Sequence, residues 1–129
     1  VVHPTTGVVT IFTKGATSRI YELTPPLTAD MTATFVGEVS LDDAFIPLVT
    51  AADIDPEGGV VAIRTYSDVF LYPIGADQSA AQAVLAGGAC SAPHGAEQQG
   101  EAIAFLDGSS FVTAPEGADS IISRVDCAE

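Results

Sequence analysis

The stretch Val49–Tyr72, VTAADIDPEGGVVAIRTYSDVFLY, decides the fold, because it reads as three consecutive strands with a legible turn between each pair. A strand over Val49–Ile54 runs into Asp55-Pro56-Glu57-Gly58-Gly59, where proline presets φ and glycine admits positive φ, so the chain must reverse. A second strand follows over Val60–Tyr66, and Ser67-Asp68 turns the chain into a third over Val69–Tyr72. The product is an antiparallel meander built from local contacts. Val60, Val61, Ala62 and Ile63 stand in a row rather than alternating apolar with polar, which is the pattern of a strand covered on both faces. Arg64 interrupts this run. A buried cation left alone is too costly, so the expected partner is a nearby carboxylate, Asp53, Asp55 or Asp68.

The same punctuation recurs on either side. VVHPTTGVVTIFTKGATSRIYEL from Val1 and EAIAFLDGSSFVTAPEGADSIISRV from Glu101 align with AADIDPEGGVVAIRTYSDVFLYPI from Ala51. Anchoring on Thr13, Thr65 and Thr113 gives separations of 52 and 48 residues (65 − 13 and 113 − 65), and a period of about 50 is the size of one propeller blade. Each copy has a glycine-bearing turn before its second strand and a further reversal before its third. Thr32–Leu41 alternates well enough to be an outer strand for the first copy. After Tyr72, Asp77 is expected to cap an alanine-rich helix over Gln78–Ala86, closed by Gly87, with an outer strand near Ala89–Ala92.

The expected fold is therefore all-β: about two and a half to three four-stranded antiparallel β-propeller blades, over residues 1–41, 49–92 and 99–129. Val1-Val2 reads as the tail of a strand, and propellers close with about 4–8 blades. The span 1–129 is thus expected to be a single β-propeller fragment, completed by the remainder of its own propeller or by a protein partner that covers the open edges.

The chain has 129 residues, 47% of them hydrophobic, which is ample for one core. Four basic residues stand against seventeen acidic ones, a net charge of −13. Such a field makes nucleic acid and anionic membrane surfaces poor partners, and no nucleic-acid partner is expected, because phosphate binding needs a Lys/Arg footprint. The acidity is read first as a solubilising surface, with a cation site or a high-salt habitat as alternatives. No run approaches the ~18 apolar residues of a membrane span, so a transmembrane chain is not expected, and no signal pattern opens the sequence. Cys90 and Cys127 lack CxxC spacing and have only His3 and His94 as potential co-ligands, which argues against zinc. A Cys90–Cys127 disulfide, and with it an oxidising extracytoplasmic compartment, is the expectation; two unpaired buried thiols in a cytosolic protein are the alternative.

Ala52-Asp53-Ile54-Asp55-Pro56-Glu57-Gly58 is similar to the strand-S-P-D-G turn of TolB-like and WD40-like bacterial propellers. Gly100-Glu101-Ala102-Ile103-Ala104-Phe105, with Ala114-Pro115-Glu116-Gly117 downstream, resembles the E-G-I and S-E-G blade motif of phytase-like or esterase-like secreted propellers. The likeness covers nearly the whole chain at the level of blades. It departs from the pattern at Leu106, which precedes Asp107-Gly108 in place of Ser-Pro, at Ala102 in place of glycine, and at Pro115 before Glu116. The resemblance implies an extracytoplasmic bacterial propeller, secreted, periplasmic or of the cell envelope.

In such a fold the first strand of each blade lines a central channel, which makes Thr50, Asp53, Gln99 and Glu101 the candidate ligand or channel-lining residues. Asp53 and Glu101, with Glu116, are the candidate metal carboxylates, since calcium takes oxygen ligands from several loops. No other cofactor is expected. No G-x-S-x-G elbow or recognisable Ser-His-Asp context is present, so no catalytic residue is assigned. The functional expectation is a non-enzymatic binding or scaffolding module. A calcium-dependent phytase-like or esterase-like hydrolase, and an accessory subunit of a membrane-associated complex, are the alternatives.

Overall fold

A computed structural model describes residues 1–127 as an all-β chain of three small antiparallel sheets and one short helix. The first sheet has the order β1 (Val9–Phe12), β2 (Thr17–Leu23), β3 (Thr34–Ser40). The second is β4 (Val49–Ile54), β5 (Val60–Thr65), β6 (Val69–Pro73), β7 (Cys90–Ala92). The third is β8 (Gly100–Asp107), β9 (Ser110–Pro115), β10 (Ser123–Asp126). Every sheet is a meander in which sequence neighbours pair. Val2 adds a single antiparallel bridge to Val9, on the free side of β1.

The turn between first and second strands of the second sheet is held by Asp55. Its Oδ1 accepts the Val60 N–H at 2.5 Å and its Oδ2 the Glu57 N–H at 3.1 Å. Gly58 takes a positive φ of 78° there, as the Pro-Glu-Gly-Gly sequence requires. Corresponding places in the other sheets use His3, whose Nδ1 accepts the Thr5 and Thr6 N–H groups, and Asp107, which accepts the Ser109 N–H. His3 is itself buried, and its ring lies so close over Gly58 that a β-carbon there would clash with it. The turns of the first two sheets are thus packed against each other.

The middle strand of the second sheet, β5, has no solvent face. Val61 and Ile63 point into a core shared with Ile20, Val39 and Phe12 of the first sheet. Ala62 and Val69 point the other way, into a core with Ile103 and Phe111 of the third. The continuous apolar run in β5 is the sequence record of that double coverage.

The helix α1 (Ala80–Ala86) begins two residues later than the Gln78 start expected from an Asp77 cap. Its cap is Ser79 rather than Asp77: Ser79 Oγ accepts the Gln82 N–H, and Gln82 Oε1 accepts the Ser79 N–H, satisfying two end donors reciprocally. Gln78 belongs to a preceding turn with Gly75. Ala80, Ala81 and Val84 are buried in the core between the first and second sheets, so the helix wedges that space rather than extending either sheet.

Arg64 is completely buried, on the β5 face that meets the third sheet. Its guanidinium lies directly against Gly100 at the start of β8, where any β-carbon would collide with it. Because Arg64 has no exposed direction in which to retreat, Gly100→Ala is expected to lower stability by about 2–3 kcal/mol, measured as a shift in the urea midpoint at unchanged slope.

Candidate functional site

The residues expected to line a channel are spent on joining the sheets. Thr50, on β4, donates its hydroxyl to the Gly100 carbonyl at 2.7 Å. Asp53, on the same strand, accepts the Phe105 N–H of β8 at 2.8 Å. Both therefore satisfy backbone groups on the unpaired side of β8, where an edge strand would otherwise present open donors and acceptors. Gln99 is exposed, and its carbonyl accepts the Glu116 N–H at 2.8 Å.

Glu101 meets Lys14 at 3.4 Å, and Lys14 also donates to the Tyr66 hydroxyl at 2.7 Å while lying 4.4 Å from the Tyr66 ring centre. The hydrogen bond to Tyr66, helped by the Glu101 charge, holds the lysine pKa above its ordinary value. Lys14 follows β1, Tyr66 follows β5 and Glu101 lies on β8, so this one contact ties all three sheets together.

Glu116 is exposed after β9. Among the described residues no group of three or more His, Cys, Asp or Glu side chains is placed to hold a metal ion, and Asp53, Glu101 and Glu116 do not form such a cluster. The expected disulfide is not formed either. Cys90 is an exposed thiol on β7, and Cys127 is an unpaired thiol packed against the core between the second and third sheets.

Arg64 finds a carboxylate, but none of the three expected. Its Nη2 donates to Glu97 Oε2 at 2.6 Å, with both side chains essentially removed from solvent. The other oxygen of Glu97 accepts the Thr113 hydroxyl at 2.5 Å. Asp53 is engaged with β8, Asp55 with its own turn, and Asp68 accepts from the Phe45 N–H and the Ser67 hydroxyl. Burial pushes the guanidinium pKa down from its usual value, opposed first by Glu97 and then by Asp68. Nε and Nη1 of Arg64 have no hydrogen-bond partner among the described residues. Glu97 sits in an irregular loop, without strand or turn context, so nothing in the sequence singled it out.

A cavity lies away from the β4–β8 edge. It has a volume of about 730 Å³ and opens between the end of β3, the β3–β4 loop, α1 and the β6–β7 pair. Its acids are of two kinds. Glu38 is paired with Arg19 at 3.2 Å and Asp68 is bonded as described, whereas Asp42 and Asp43 are exposed and make no hydrogen bond or ion pair among the described residues. Phe70, Val84 and Leu85 supply apolar wall. Tyr72 also lines the cavity, and only 4% of the residue is exposed. Burial, and secondarily the Asp43 charge, raise its pKa above the ordinary tyrosine value, because both disfavour a phenolate. Sequence reading passed over this site; the adjacent acids Asp42-Asp43, next to a strand end and far from any basic residue in the chain, were the available signal.

Comparison with known proteins gives no match: no protein-family model, curated relative or solved structure aligns significantly with the chain.

Two outcomes are expected from this geometry. Glu97→Ala leaves Arg64 charged, buried and alone, and should cost about 3–5 kcal/mol in chemical denaturation. Tyr72 resists ionisation in the folded chain, so its contribution is fully present below the unfolded tyrosine pKa of about 10 and is lost as pH rises beyond it. Thermal melts across pH 9–11 should therefore show an alkaline decline that is shallower in Tyr72→Phe.

Proposed function

We propose that the chain is a non-enzymatic binding or scaffolding module in which the three sheets are consecutive blades of a β-propeller. The observation that carries this reading is the use of the inner-edge polar groups. Thr50, Asp53 and Glu101, the side chains that an enzyme of this architecture would offer to substrate, bond across to neighbouring sheets instead. Support for the blade arrangement comes from the three meanders, from the stacking of the second sheet between the other two, and from the turn caps His3, Asp55 and Asp107.

The same reading accounts for the outer face of the first sheet. Ile11 pairs with Tyr21 and Tyr21 with Phe35, which places three large side chains in one row, with Ile11 and Phe35 41% and 49% exposed. The second sheet is covered on both faces by sheets of this kind, and a further sheet is the occupant that fits this row, whether from the remainder of the propeller or from a protein partner. An extracytoplasmic location belongs to this proposal through the family resemblance alone, since Cys90 and Cys127 are unpaired.

The test is turnover. Purified protein incubated with 4-nitrophenyl phosphate and 4-nitrophenyl acetate, with and without millimolar calcium, should release nitrophenol no faster than buffer. Calcium-dependent hydrolysis that Glu101→Gln abolishes would overturn the non-enzymatic reading in favour of a hydrolase.

A further inference from the structure

We propose that two copies of this chain associate through the open edge of β10, pairing antiparallel about a two-fold axis at Val125, so that their third sheets join into one. The proposal goes beyond the reading of the chain as a binding module and does not rest on it. β10 ends the third sheet, and among the described residues no strand pairs with its outer side. In the second sheet the strand of the same rank, β6, has that side taken by β7, so this kind of meander accepts a further strand there. The backbone groups left open can be named. Cys127 N–H donates to the Ser109 carbonyl, on the β9 side, at 2.8 Å. Successive residues of a strand turn their backbone groups to alternate sides, so Ser123 and Val125 also face β9, whereas the N–H and C=O of Arg124 and Asp126 face outward. Both residues are exposed. Immediately before the strand stand Ile121 and Ile122, 78% and 70% exposed, and apolar surface beside an open edge invites another strand.

Charge selects both the partner and the register. An added strand must set outward-facing residues opposite outward-facing residues, since only those can exchange hydrogen bonds. For antiparallel copies of β10, the two-fold registers that keep most of the strand paired are centred on Arg124, Val125 or Asp126. The first sets arginine against arginine and the last aspartate against aspartate. Centred on Val125, Arg124 of each copy lies opposite Asp126 of the other, and each facing pair exchanges both of its backbone hydrogen bonds. Opposite charges directly across a strand pair stabilise it, and like charges do the reverse. Within one chain these charges meet only along the strand, Arg124 Nη2 lying 2.8 Å from Asp126 Oδ1, so Asp126 Oδ2 is left for the guanidinium of the second copy. Val125 faces the core shared with the second sheet, which puts Arg124 and Asp126 on the open face. Repulsion between chains of net charge −13 opposes the approach, and salt screens that long-range field before it screens groups in contact.

Sedimentation equilibrium at physiological salt tests the pairing. The protein should sediment as a monomer at micromolar concentration and approach twice the chain mass toward millimolar. Arg124→Asp and Asp126→Arg, each alone, set like charges against each other across the pair and should weaken self-association about 10-fold or more. Mixed in equal amounts, these two variants should associate as well as the unaltered protein, and the double variant Arg124→Asp/Asp126→Arg should do so by itself. The positions are exposed and an exposed ion pair contributes little, so every variant should keep its melting temperature within a few degrees. A monomer across the whole range would overturn the proposal. So would a dimer that all variants form equally, the behaviour of association through another face such as the row of Ile11, Tyr21 and Phe35. Stronger association of Asp126→Arg would overturn it too, because overall charge alone would then govern, as would a mixture of the single variants that fails to recover.

Discussion

The structure depends on one constraint: the central strand of the second sheet cannot face water on either side. Val61, Ala62 and Ile63 are adjacent in β5 and fully buried, with their side chains going to opposite faces. Each buried valine or isoleucine side chain is worth roughly 1.5–3 kcal/mol relative to exposure, so removing either neighbouring sheet would forfeit several such contributions together. Arg64, the next residue, turns this dependence into specificity. It can be buried only if the loop leading into the third sheet delivers Glu97 to within 2.6 Å and β8 keeps Gly100 bare beneath the guanidinium. An ion pair of this kind adds little net stability, but either partner alone is strongly unfavourable, so a displaced third sheet is penalised more than a correctly seated one is rewarded.

That asymmetry explains which features could be read from the sequence. Strands β4, β5 and β6 were legible to within a residue, because Pro56, Gly58, Gly59 and Ser67-Asp68 mark local turns and the intervening runs leave no competing period. The helix was legible as an element but not in its cap, since Asp77 and Ser79 are both good caps and only the reciprocal glutamine at position 82 separates them. Arg64's need for a carboxylate was also legible. Its identity was not, because the partner arrives from a loop 33 residues downstream, and pairing across sheets leaves no local pattern. The lone cysteine pair misled for the same reason: spacing suggested a bridge, while the fold puts one thiol on an exposed outer strand and the other against a core.

The candidate residues were legible as a group, and the contacts they make were not. Thr50, Asp53 and Glu101 do lie along the edge where the first strands of the second and third sheets meet. Sequence pattern places a polar side chain on an edge, but it does not say whether a neighbouring backbone will claim it. Here unsatisfied N–H and C=O groups of β8 were closer than any solute. The acids that remain unclaimed, Asp42 and Asp43, are in a loop shaped by packing between two sheets and the helix, an arrangement that exists only after the whole chain has folded.

Lys14 carries a practical consequence. It is the single lysine of the chain, and its ammonium group is held between Tyr66 and Glu101 at the junction of three sheets. Amine-directed immobilisation or dye labelling at this lysine would act on that junction, trading a charged bridge for a neutral amide. The exposed thiol of Cys90, on the outermost strand of the second sheet, is the attachment point that leaves the junction untouched.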